Sequence, residues 1–256
     1  MYIPYIGITD FMNKGQVRQM FEVFKKHLPK GSKRKLHVGV MMSHKTLNDI
    51  PSSWQKVFPP KETISDIFFS DEAYNCLHYA DYDGQPDFAA NLSKAIEFGG
   101  TGIHAVQLDM TWPEPAEIMD GVYRSRKKVE VILQIGKKAL EEVSDDPSEL
   151  VERLEDYRSV IDRVLLDMSM GHGLGMDADE LLPFARAVKE SFPDIGLVAA
   201  GGLGPETMHL VEPLVEEFPD LSIDAQGKLR PSGSNRDPID WKMAEKYLMR
   251  AIKLLE

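Results

Sequence analysis

Three aspartates close short apolar runs in this 256-residue chain: Asp109 in GIHAVQLDM (102–110), Asp167 in DRVLLDM (162–168) and Asp224 in LSIDAQG (221–227). A buried carboxylate without a partner is costly, so each either caps the loop that follows or is kept for chemistry. Two carboxylates in one cleft can act as acid and base when their surroundings drive their acidities apart. Three around one opening would also be hard oxygen ligands of the kind Mg²⁺ takes. Gln107 lies two residues before Asp109, and the period of a strand puts both on one face, with Val106 and Leu108 on the other. Asp10, Asp81 and Asp83 follow other apolar runs, where capping is the plainer reading.

Glycine-rich loops form a second group. DMSMGHGLGMD (167–177) places Gly171, Gly173 and Gly175 directly after Asp167, a length and flexibility that suit a lid or a backbone cradle. AAGGLGPET (199–207) places Gly201 and Gly202 at the end of an apolar run, before a helix opened by proline. Backbone amides there, backed by a helix N-terminus, suit an anion. DAQGKLR (224–230) adds Gly227, Lys228 and Arg230. Together the last two loops point to a phosphorylated ligand.

Other reactive residue types fit no pattern. His37, His78, His104, His172 and His209 lack the spacing of metal ligands and read as surface or satisfied core residues. Cys76 lies early in its apolar run and reads as a small buried residue. Being a lone cysteine, it excludes an internal disulfide and a metal cage built of cysteines. There is no Walker loop and no serine in a nucleophile elbow.

The elements that must position these residues alternate along the chain. Eight apolar runs (3–9, 35–42, 75–82, 102–110, 129–136, 162–168, 195–203 and 221–227) start about 26 to 40 residues apart, the length of a strand, a helix and two loops. Helical spacing of apolar residues predicts helices over 16–28, 86–100, 137–143, 147–161, 177–192, 205–218 and 240–255, with Asp177 or Asp179 as N-cap of the fifth. The stretch 43–70, with Pro51, Pro59 and Pro60, reads as a short helix and a long loop. Without hairpin signals, eight strand–helix units imply an all-parallel sheet. At this length they imply a single-domain (β/α)₈ TIM barrel, with a doubly wound open sheet as the rival. In a barrel the active site lies at the carboxyl ends of the strands, where the aspartates, Gln107 and the glycine-rich loops fall.

Composition bounds the partners. Hydrophobic residues make up 43% of the chain, enough for a globular core, and 30 basic against 41 acidic residues give a net charge of −11. That balance argues against nucleic acid, which needs a basic face, and no apolar run approaches the length of a membrane span. A cytoplasmic protein with a small phosphorylated metabolite as partner is expected.

The strand-end motifs resemble phosphoribosylanthranilate isomerase. The matching segments, in order, are GIT (7–9), HVGVMMSHK (37–45), HAVQLD (104–109), VLLD (164–167) before a glycine-rich loop, AAGGLGPETM (199–208) and IDAQG (223–227). The resemblance covers the second half of the chain more fully than the first. It implies a TIM barrel that binds a substrate phosphate through Gly201, Gly202 and Gly227, with Asp167 as general acid. The family's base, a cysteine immediately before GIT, is replaced here by Ile6, a hydrocarbon that cannot take a proton. Asp10 or Asp109 would have to serve instead. Asp109 also stands where the family often has histidine, and Ala225-Gln226 replaces its paired serines.

The expectation is an acid/base, isomerase-type enzyme acting on a phosphorylated sugar or sugar-like molecule, distinct from the tryptophan-pathway reaction. Its site residues would be Asp167, Asp109 and Asp10 for catalysis, with Gly201, Gly202, Gly227, Gln107, Asp224, Lys228 and Arg230 for binding. No cofactor is required in this reading. A Mg²⁺-dependent enzyme using Asp109, Asp167 and Asp224, and a barrel that only binds a phosphorylated metabolite, are the alternatives.

Overall fold

The structure is a computed structural model that describes residues 2–54, 56–167 and 178–256. All eight apolar runs form strands: β1 (Tyr5–Thr9), β2 (Lys35–Ser43), β3 (Tyr74–Ala80), β4 (Ala105–Asp109), β5 (Glu130–Ile135), β6 (Arg163–Asp167), β7 (Gly196–Ala200) and β8 (Ser222–Ala225). Every neighbouring pair is parallel, and β8 returns to β1 with Ile6, Gly7 and Ile8 opposite Ile223, Asp224 and Ala225. That last pairing closes the barrel and removes the open-sheet alternative.

Alternation along each strand separates two cores. Residues such as Ile6, Val38, Leu77, Val106 and Val164 point outward and pack beneath the helices. Tyr5, Cys76, Ala105, Ile132, Leu165 and Val198 point inward and form a second cluster inside the barrel. Asp109, Asp167 and Asp224 follow inward positions by the same period, which is why apolar strands end in carboxylates.

The helices in chain order are α1 (Lys14–His27), α2 (His44–Leu47), α3 (Ile64–Ile67), α4 (Phe88–Phe98), α5 (Pro115–Ser125), α6 (Lys137–Glu141), α7 (Pro147–Glu155), α8 (Ala178–Ser191), α9 (Glu212–Glu217) and α10 (Trp241–Leu255). Asn13 and Gln16 form a reciprocal capping box on α1. Asp240 accepts the amides of Lys242 and Met243 at the start of α10. No described helix is long and apolar enough to cross a membrane.

Helix α5, between β4 and β5, is not among the helices expected from the sequence; Pro115 occupies its first turn, where its missing amide costs no bond. A second difference lies after β7. The expected continuous helix over 205–218 is a turn, a 3₁₀ segment (Met208–Val211) and then α9. Pro213 cannot donate to a preceding carbonyl, so the α-helix restarts beside it. Among the described residues, therefore, no α-helix follows directly on Gly201 and Gly202. Asp179 lies in the first turn of α8 rather than at its cap. The other candidate cap, Asp177, and the glycines Gly171, Gly173 and Gly175 lie outside the described residues, as does His172.

Candidate functional site

Most of the candidate residues converge on a cavity of about 440 Å³ at the carboxyl end of the barrel. Asp109, Asp167 and Asp224 line it with Gln107 and Gln134, and Gly201, Gly202, Gly227 and Lys228 line it from the loops after β7 and β8.

Side-chain amides connect the acidic wall. Gln107 Nε2 donates to Gln134 Oε1 at 2.8 Å, and Gln134 Nε2 donates to Asp167 Oδ2 at 3.3 Å. The chain of bonds fixes which end of each amide faces Asp167. It leaves Gln107 Oε1 buried without a partner, an acceptor suited to a ligand hydroxyl.

Asp109 accepts a hydrogen bond from the Tyr82 hydroxyl. Burial raises its carboxyl to about 6; the Tyr82 bond pulls the other way, and the charge on Asp167 adds to the rise. Burial likewise raises Asp224 to about 7, although Thr9 Oγ1 donates to its Oδ2 at 2.8 Å. Catalytic protons are best moved by groups whose acidity lies near the working pH, and Asp109 is such a group. An activity that needs ionised Asp109 is expected to fall on the acid side of pH about 6. The pH profile of kcat/KM checks this, and Asp109→Asn should abolish that limb.

The loops after β7 and β8 are built for close approach. Gly201 and Gly202 have φ of 92° and 69°, values that side chains rarely tolerate. Thr207 Oγ1 donates to Gly202 O at 2.7 Å and ties the turn down. A Cβ on Gly204 would lie 2.7 Å from Lys228 Cβ, so the loops after β7 and β8 pack directly on each other. That contact brings Lys228 to the same cavity as the two glycines.

Asp10 and Arg230 are not brought to this cavity, which corrects their expected roles. Arg230 Nη2 pairs with Asp10 Oδ2, and both side chains are almost wholly buried. Arg230 also donates through Nη1 to Gln226 O at 2.7 Å and through Nε to Asp237 O. Gln226 Nε2 donates to the same Asp10 carboxylate. Each guanidinium nitrogen is engaged with one of these partners, and the buried pair does not line the cavity, so neither side chain faces a ligand there. Burial pushes the Asp10 carboxyl up, with Arg230 and Gln226 opposing. The pair fastens the loop after β8 to the end of β1.

A smaller cavity of about 190 Å³ adjoins the first, and Met41, Asp109, Gln226 and Asn235 line both. Trp54 and Phe58, from the 43–70 segment, stack at 5.8 Å between centroids and form its apolar side. Asp81 Oδ2 accepts the Gln85 amide, the capping role expected of it, and Asp83 pairs with Lys45.

Strand pairing brings together residues that the sequence reading kept apart. His37 Nε2 and His78 Nε2 lie 3.4 Å from each other inside the barrel. With Cys76 they form a group whose ligand atoms lie within 4.8 Å of one another. Among the described residues, Asp109, Asp167 and Asp224 do not form such a group. His104 instead accepts the Asn75 amide at 3.1 Å, and His209 is exposed.

No protein-family model matches the chain, and no curated protein sequence matches it. Solved structures do. Phosphoribosyl anthranilate isomerase from Thermotoga maritima is 16% identical with a TM-score of 0.60, covering 99% of this chain and 100% of that one. Phosphonopyruvate hydrolase is 15% identical, with a TM-score of 0.53 over 87% of this chain and 75% of that one. QR15, an aldolase, is 12% identical, with a TM-score of 0.53 over 99% and 97%. At these identities the likeness carries the barrel fold alone.

Proposed function

We propose that this barrel is an acid/base enzyme of isomerase type acting on a phosphorylated sugar or sugar-like molecule. The observation that carries the reading is a single cavity lined by Asp109 and Asp167 together with Gly201, Gly202 and Lys228. Barrels commonly hold phosphate at the loops after strands seven and eight, and backbone amides with a lysine supply the donors here. Asp109, ionised above pH about 6, takes the proton from the carbon beside the reacting centre. Asp167, oriented by Gln134, gives a proton to the sugar oxygen. Gln107 Oε1 accepts from a hydroxyl of the chain. The adjoining cavity beside Trp54 and Phe58 has room for an apolar substituent on the sugar.

The anion half of this reading is tested by thermal shift with inorganic phosphate and ribose 5-phosphate. Both are expected to raise Tm, as any ligand of the folded state does. Lys228→Ala should weaken ribose 5-phosphate about 10- to 100-fold, the range for hydrogen bonds to a charged group. Gly202→Leu should remove the shift. Equal shifts in wild type and both variants would place the anion elsewhere.

A further inference from the structure

We propose that His37, Cys76 and His78 bind a transition-metal ion of the zinc class inside the barrel, beneath the acidic mouth. This goes beyond the acid/base reading and does not depend on it. Zinc takes imidazole nitrogen at 2.0–2.1 Å in a tetrahedral arrangement, which puts two such nitrogens about 3.3–3.4 Å apart. The Nε2 atoms of His37 and His78 are separated by 3.4 Å. Cys76 and His78 share the inward face of β3, and His37 stands on the neighbouring strand β2. Two imidazoles and one thiolate are a borderline-soft set, suited to Zn²⁺ or Co²⁺ and poorly suited to Mg²⁺.

The surroundings are those of a ligand shell. The other ring nitrogen of His37, Nδ1, faces Asp224 Oδ1 at 3.7 Å, and both atoms are buried without a hydrogen bond. Metal-bound histidines commonly present their second nitrogen to a carboxylate, and coordination at Nε2 fixes the tautomer that makes Nδ1 the donor. Charge balances as well: Zn²⁺ with one thiolate leaves one positive charge, which the Asp224 carboxylate offsets. Two inward glycines keep this space open. A Cβ on Gly7 would come within 2.5 Å of Asp224 Oδ1 and 2.9 Å of His37 Nδ1, and one on Gly39 within 3.0 Å of His78 Nε2.

Binding proceeds with loss of the Cys76 thiol proton: the S–H bond breaks, the S–metal bond forms and one proton leaves to solvent. His78 lines the mouth cavity, which gives the ion its entry path.

Chelator-treated full-length protein titrated with Co²⁺ tests the site. The expected result is one equivalent bound, with the intense visible bands of four-coordinate cobalt and a near-ultraviolet thiolate charge-transfer band. Cys76→Ala should lose the charge-transfer band, and His78→Gln the stoichiometric binding, with circular dichroism reporting their fold. Asp224→Asn should weaken Zn²⁺, measured against a chromophoric chelator, by about 10- to 100-fold. Wild-type protein that binds no cobalt, or binds it only with the faint spectrum of six oxygen ligands, overturns the proposal. So does binding that Cys76→Ala leaves spectrally unchanged, which would put the ion at the carboxylates of the mouth.

Discussion

Asparagine in place of Asp109 is expected to lower kcat on a phosphorylated substrate by about 10²- to 10⁴-fold, the usual contribution of a positioned base. Substrate affinity should stay near that of wild type, because the proposed phosphate site lies in the loops after β7 and β8, strands that do not pair with β4. Stability separates this outcome from unfolding. The Asp109 carboxyl sits at about 6 in the folded protein, above the roughly 3.9 of an unfolded chain. The folded state thus holds this proton more tightly. Its contribution to stability is complete below pH of about 4 and is lost as pH rises through about 6. Above that range the wild type bears the cost of a buried charge and the asparagine variant does not. Asp109→Asn should therefore be inactive and at least as stable at pH 8, with a flatter dependence of Tm on pH between about 4 and 7. A variant that loses activity together with Tm would assign Asp109 a structural role.

Asp10 is expected to behave in the opposite way. Removing it by Asp10→Ala strands Arg230 in a site where its side chain has no solvent exposure, and breaking a buried pair from one side costs about 3–5 kcal/mol. Urea unfolding should show that loss as a lower midpoint at an unchanged slope. Arg230→Met should cost a similar amount, since it leaves the Gln226 and Asp237 carbonyls without their donor. The folded fraction of Asp10→Asn, which keeps a partner for Gln226, should retain its pH profile. Loss of activity in Asp10→Asn with stability intact would return Asp10 to the catalytic residues.

These two aspartates mark how far the sequence could be read. Both end apolar strands, and alternation alone placed Asp109 beside Gln107 on the inward face. The eight strands were legible for the same reason: each is short, apolar and bounded by turn residues, so period and punctuation agree. What separates Asp10 from Asp109 is a partner 220 positions away, Arg230, which becomes a neighbour only when β8 closes against β1. The His37–Cys76–His78 group was hidden likewise, since ligands on adjacent parallel strands are spaced by a whole βα unit rather than by a short motif. Its one local signal was the Cys76–His78 interval, which puts both side chains on one face. Helix starts were less legible: Pro115 and Pro213 each sit in the first turn of a helix, α5 and α9, a position that a scan for apolar spacing does not mark.

The measurement that bears most directly on the proposed chemistry is proton exchange in deuterated water. Ribose 5-phosphate, ribulose 5-phosphate and N-aryl phosphoribosylamines would be incubated with the protein and followed by NMR. The account predicts isomerisation with deuterium entering at the carbon beside the carbonyl or imine for at least one of them, abolished by Asp109→Asn and by Asp167→Asn. If these compounds raise Tm yet exchange no proton in wild-type protein, the barrel is a binding protein and the acid/base assignment of Asp109 and Asp167 is wrong.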